Sequence, residues 1–276
     1  MTEKALVAVK DSEAALNAFL QTVELSRRFG FQLGAVCVAP PYQGDLALVG
    51  VHALKRTLAE PSLTVLDEAV RIATEEGVGL STFAAEGHGP EAIIDLAVRE
   101  NYDLIIIGRE PGIRWGCVGS LTAGLLRHSP VDLLVIPAGR PVRFDRVLHV
   151  LNGSQPVSPV SKLMKSGARS LGQVPPGVRP LTVNRPLQAE KGGRMVIDRD
   201  ALRNPSKEFL HETTPVEVVT CERAPRRILE LSRKIGIDLI VWEDGGPPKT
   251  AVHSFLGTGA FRLVRRSVRP VWIVKT

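Results

Sequence analysis

The stretch that decides the fold runs from Asp103 to Pro137 and reads DLIIIGREPGIRWGCVGSLTAGLLRHSPVDLLVIP. Its first five residues, Asp103 to Ile107, are too short and too branched for a helix, and apolar enough to be buried on both faces. That is the pattern of a central parallel strand. Gly108, Gly112, Gly116 and Gly119 punctuate the loop that follows. From Ser120 a helical period puts Leu121, Leu125 and Leu126 on one face, and Leu133 to Ile136 is a second buried strand. A strand, a glycine loop and a helix start make an anion site in outline, because free backbone N–H groups and the helix dipole converge there. Glycine lets the chain approach a phosphate with no Cβ in the way.

The stretch then recurs. Asp238 to Trp242 repeats the first strand, Gly257-Thr258 repeats Gly119-Ser120, and Val271 to Val274 repeats the last strand. The two glycine–hydroxyl pairs lie 138 residues apart, half of the 276-residue chain. This spacing predicts a tandem duplication of one α/β unit: residues 1–138, a Pro-, Gly- and Arg-rich linker at 139–143, and residues 144–276.

Each half resembles the universal stress protein family, small α/β modules that bind an adenine nucleotide or none. The family's mark is glycine, two residues, glycine, nine residues, glycine, then Ser or Thr, between the fourth strand and the fourth helix. Its first strand ends in Asp-Gly-Ser. Here the first strand is followed by Lys10-Asp11-Ser12, and its counterpart by Asn152-Gly153-Ser154. The resemblance implies two tandem doubly wound parallel-sheet domains, adenine nucleotide alpha hydrolase-like with flavodoxin-like layering. It also implies that the halves associate through their last strands as an intramolecular pseudo-dimer, and leaves a homodimer open.

Bulk composition agrees with two globular cores: 44% hydrophobic and 23% charged residues. Three widely spaced cysteines (Cys37, Cys117, Cys221) form no disulfide framework or zinc pattern, which fits a reducing cytosol and a cytoplasmic protein. The charged start and the lack of a long apolar run lead to the expectation of no signal peptide and no membrane span. The net charge of +6 is uneven: residues 1–138 hold 11 Lys+Arg against 17 Asp+Glu, and residues 139–276 hold 24 against 12. Opposite signs favour attraction between the halves or an anionic partner for the second.

Alternating strands and helices predict right-handed βαβ crossovers. Ser12 is placed to cap a helix reaching about Arg28, with Leu16, Phe19, Leu20 and Val23 on its apolar face, and Gly30 to stop it. A long helix from about Leu48 to Glu76 is expected to be interrupted at Pro61. Gly87-His88-Gly89-Pro90 leads into a helix with Ile93, Ile94, Leu96 and Ala97 inside. The second half has a degenerate middle: residues 155–215 carry eight of the 20 prolines, and irregular loops with one short helix (Asp200 to His211) are expected.

In a doubly wound sheet the ligand sits at the carboxyl ends of the strands, where strand order reverses. The resemblance assigns the nucleotide to Val9, Lys10, Val38, Gly108, Arg109, Gly112, Gly119 and Ser120, with weaker equivalents at Asn152, Gly246, Gly257 and Thr258. Departures are evident. Lys10 replaces the family Asp, and the first loop is two residues shorter than the pattern. In the second half Asn152 replaces that Asp, and Glu243-Asp244 would repel phosphate. The glycines are equally explained by tight turns, and Ser120 and Thr258 by helix capping.

Arg262, Arg265, Arg266 and Arg269 fall at i, i+3, i+4, i+7, a basic stripe late in the last helix that suits a solvated C-terminus; no aromatic residues interleave with it, which argues against nucleic acid. Trp115, Trp242 and Trp272 read as packing residues. The six histidines show no metal spacing. No nucleophile–base pair or HExxH-like sequence is present. These observations favour a non-catalytic stress-response sensor or partner-binding module, with ATP or no cofactor and an unnamed protein partner. A slow ATP hydrolase turning nucleotide over at Gly119-Ser120 and a ligand-free structural pseudo-dimer are the alternatives.

Overall fold

The computed structural model describes residues 4–39, 51–110, 119–152, 178–184, 217–220, 224–234, 236–244 and 255–275. The chain forms two compact units, Met1–Val142 and Arg143–Thr276.

In the first unit the elements follow as β1 (Lys4–Ala8), α1 (Glu13–Phe29), β2 (Gln32–Ala39), α2 (Val51–Glu75), β3 (Leu80–Glu86), α3 (Gly89–Arg99), β4 (Leu104–Arg109), α4 (Ser120–His128) and β5 (Asp132–Pro137). All strand pairs are parallel, in the order β3-β2-β1-β4-β5. Order therefore reverses at β1, between β2 and β4. Helices α2 and α3 both pack on β2 and β3, so they lie on opposite faces; α1 also packs on the sheet, chiefly on β4, and α4 packs on α3 and β5. The sheet core is dense: Ile105, Ile106, Leu133, Leu134 and Ile136 are wholly buried. Each such side chain contributes about 1.5–3 kcal/mol by leaving water.

Helix α1 begins and ends as its residues dictate. Ser12 Oγ accepts a hydrogen bond from Ala15 N at 3.3 Å. Gly30, at φ 72°, closes the helix in the left-handed region and donates to Ser26 O. Its buried face differs from the expected one. Phe19 and Val23 are buried, but Leu16 and Leu20 are 46% and 43% exposed. The sheet-facing positions belong to Ala14, Ala15 and Ala18, because α1 lies too close to the sheet for a leucine. A Cβ on Gly108 of β4 would fall 2.1 Å from Ala14 O. Small residues on α1 and no side chain at Gly108 allow that approach.

Two other expectations are corrected in this unit. Helix α2 runs through Pro61 without interruption. Pro61 is exposed, so its missing N–H lies on the solvent side of the helix. In α3, His88 is the N-cap, Pro90 follows in the first turn, and Ile94 is half-buried rather than inside.

Tyr102 packs where β2 has no side chain: a Cβ on Gly34 would lie 2.1 Å from its hydroxyl. Its ring meets Phe83 edge-on at 6.2 Å. Burial, with the Glu100 carboxylate adding to it, raises the Tyr102 phenol above its ordinary value near 10. The folded state thus holds this proton more tightly than the unfolded chain. That contribution is complete below pH about 10 and is lost as pH rises through the raised folded value. Denaturant titrations should show stability falling above pH 10 in the wild type, and a smaller fall in Tyr102→Phe. Identical alkaline slopes in the two proteins would contradict this.

The second unit repeats the plan with β6 (Val147–Asn152), β7 (Val178–Asn184), β8 (Glu217–Thr220), α5 (Ala224–Lys234), β9 (Leu239–Asp244), α6 (Phe255–Arg266) and β10 (Val271–Lys275). Its strand order is β8-β7-β6-β9-β10, all parallel, so β6 takes the place that β1 has in the first unit. Strand β7 was not expected from the proline-rich sequence. Pro180 pairs with His149 on one side only, since β8 meets β7 from Leu181 onward. At a position with one open side a missing N–H is tolerated. The short helix expected at 200–211 lies outside the described residues.

Matching hydrogen bonds recur at matching places. Asp103 N donates to Lys4 O, and Asp238 N donates to Arg146 O, tying the fourth strand's start to the first strand's start in each unit. Ser129 Oγ donates to Val131 O, and Ser267 Oγ donates to Arg269 O, 138 residues later in both partners. This serine turn ends the last helix at Arg266. Arg269 therefore lies beyond the helix, and only Arg262, Arg265 and Arg266 share it. Trp242 and Trp272 are buried, as expected of packing residues; Trp115 lies outside the described residues.

Candidate functional site

The site predicted from sequence depends on the carboxyl ends of β1, β2 and β4. Val9 continues β1 and is buried; its N–H donates to Val36 O of β2 at 2.8 Å. Val38 lies two residues further along β2 and is half-buried. Lys10 is exposed, and its Nζ lies 3.9 Å from Glu110 Oε1, immediately after β4. This ion pair bridges the ends of β1 and β4, neighbouring strands at the reversal of strand order. Glu110 had no place in the sequence reading, because one carboxylate after a strand follows no motif. Only the pairing of β1 with β4 brings it to Lys10.

Arg109 ends β4 opposite Pro137 of β5. It is half-buried, and burial lowers its guanidinium below the ordinary value. Desolvation disfavours the cation, so an anion beside it would be stabilised. Gly108 has a packing reason to be glycine, since its missing Cβ faces the first turn of α1. Gly112 lies outside the described residues.

Gly119 is the N-cap of α4, with no side-chain capping bond, and Ser120 is the first helical residue. The expected capping role of Ser120 is therefore not found: the cap position belongs to Gly119. The earliest i to i−4 bond recorded runs from Ala123 N to Gly119 O. Helix α4 follows β4 and returns to the parallel strand β5, so its N-terminus lies at the carboxyl end of the sheet.

In the second unit Asn152 ends β6, and Gly257 and Thr258 are the third and fourth residues of α6. Thr258 lies inside that helix rather than at its start, another departure from expectation. Gly246 lies outside the described residues. Glu243 and Asp244 are strand residues at the end of β9, paired with Val274 and Lys275. Among the described residues no group of three or more His, Cys, Asp or Glu could hold a metal ion. Among them, too, no helix is long and apolar enough to cross a membrane.

Residues 1–137 match the model of the universal stress protein family. The first unit belongs to the universal stress protein family. Over 138 residues the chain is 22% identical to a universal stress protein of Methanocaldococcus jannaschii, covering 49% of this chain and 81% of that one. The crystal structure of a universal stress protein from Archaeoglobus fulgidus aligns with a TM-score of 0.74 at 20% identity, covering 100% of this chain and 99% of that one. At this identity the likeness shows the universal stress protein fold along the whole chain. A universal stress protein from Arabidopsis thaliana, solved with AMP bound, aligns at 20% identity and a TM-score of 0.39 over 49% of this chain and 92% of that one.

Proposed function

We propose that the first unit binds an adenine nucleotide, ATP included, at the carboxyl ends of β1, β2 and β4. In this reading the protein is a non-catalytic stress-response sensor whose nucleotide state sets its affinity for a protein partner. The observation that carries it is the Lys10–Glu110 pair at the reversal of strand order, in a unit that matches the family. The AMP in the Arabidopsis thaliana structure belongs to that protein.

Roles follow from chemistry. Val9 and Val38 offer apolar surface to a base. The first N–H groups of α4 and the Ser120 hydroxyl offer donors to phosphate, with the helix dipole adding to them. Lys10, unlike the family Asp, accepts no hydrogen bond from adenosine, but its charge can answer phosphate. A phosphate must then compete with Glu110 for Lys10, so binding is modest and sensitive to salt. Titration calorimetry with ATP tests this at low ionic strength and again near about 0.5 M salt, where the screening length falls below about 5 Å. Heat at low salt that weakens several-fold at high salt is the expected result. No heat at millimolar ATP in low salt would contradict the reading.

A further inference from the structure

Strand β3 is the free edge of the first unit's sheet, pairing with β2 alone from Leu80 to Glu86. The other four strands of that unit are mostly buried, whereas Ser81, Thr82, Ala84 and Glu86 of β3 are exposed. Exposed edges are usually blunted by lysine or proline, and LSTFAAE contains neither. Beside it, between β3 and α3, lies a groove of about 550 Å³. Phe83, Ala85 and Leu96 give it apolar lining, and Glu86, Asp95 and Arg99 are its charged members.

The charges are unevenly committed. Arg99 Nε lies 3.2 Å from Glu100 Oε1. The side-chain carboxylates of Glu86 and Asp95 have no hydrogen bond or ion pair among the described residues. The groove therefore presents two carboxylates and unpaired main-chain groups along one apolar wall. An extended peptide satisfies both, by main-chain hydrogen bonds to the edge and side chains alternating toward the groove. Charge complementarity sets its composition. A second copy of β3 brings no Lys or Arg to answer Glu86 and Asp95.

We propose that β3 and the adjoining groove take an extended basic segment of another protein, which adds to the sheet as a sixth strand with its Lys or Arg side chains against Glu86 and Asp95. This surface is separate from the nucleotide reading and stands without it.

The probe is a fluorescein-labelled hexapeptide of alternating Lys and Thr, followed by anisotropy and by amide chemical shifts on the full chain. Two control peptides accompany it: the same sequence N-methylated at alternate amides, and alternating Glu and Thr. The basic peptide is expected to bind, shifting the amides of residues 80–86. The Glu86→Gln/Asp95→Asn variant should weaken it about fivefold or more, in the range of two exposed ion pairs. N-methylation should abolish binding, and the acidic peptide should not bind. Equal binding of the N-methylated peptide would overturn strand addition and leave only charge attraction. Shifts confined to other elements, or no binding by any peptide at millimolar concentration, would overturn the proposal. So would shifts in β3 that grow with protein concentration without peptide, because they would mark a second copy as the occupant. The substitutions lie on exposed positions, so circular dichroism of the variant should match the wild type.

Discussion

Gly108→Val is expected to be among the most destabilising single changes in the first unit. Its Cβ would fall 2.1 Å from Ala14 O, 2.4 Å from Ala14 C and 2.7 Å from Ala15 N. All three are main-chain atoms, which cannot turn aside as a side chain can. Helix α1 must lift from β4, and Ala14, Ala15, Ala18 and Phe19 lose contact with the sheet together. Overpacking of a dense interior costs about 1–3 kcal/mol and sometimes more, and valine's branches place this change at the upper end. Denaturant unfolding of wild type, Gly108→Ala and Gly108→Val measures it. Stability should fall in that order, and equal midpoints for all three would show that α1 does not approach β4 so closely.

Trp272→Ala is expected to lower the stability of the second unit by about 3–5 kcal/mol, the usual range for truncating a large buried aromatic. Trp272 is 1% exposed, in β10, paired with Val241 of β9. Its neighbours along the strand, Val271, Ile273 and Val274, are buried too, so removing the indole leaves a cavity that a rigid parallel sheet fills poorly. Trp272→Phe keeps most of the volume and should cost clearly less. Thermal unfolding of the three proteins decides it, and an alanine variant that melts with the wild type would contradict the placement of Trp272 in the core.

What could be read from sequence was local or periodic. The branched runs at Ile105–Ile107 and Leu133–Ile136 announced buried strands, and Ser12 and Gly30 announced the ends of α1. The order of the strands, with its reversal at β1, followed from the alternation of strand and helix and from the family resemblance. What failed depended on distance across the fold. Leu16 and Leu20 had the right period for a buried stripe, but how close α1 comes to β4 is set by Gly108 and the alanines facing it. Pro180 hid β7, because whether a proline is tolerated depends on which side of a strand is paired. Ser267 ended α6 before Arg269, through a turn bond that periodicity does not register. At the site, Lys10 was visible as a departure from the family pattern, while its partner Glu110 was not. Gly108 was legible as a loop glycine, but its packing against the first turn of α1 was not.

The most direct measurement is calorimetric titration of ATP into wild type, Gly119→Val and Gly257→Val. Gly119 has φ −55° and ψ 153°, a conformation open to any residue, so Gly119→Val should fold and change only the space at the start of α4. Binding in the wild type, its loss in Gly119→Val and its retention in Gly257→Val is the expected result. Loss in Gly257→Val alone would put the nucleotide in the second unit, and absence of heat in all three would contradict nucleotide binding altogether.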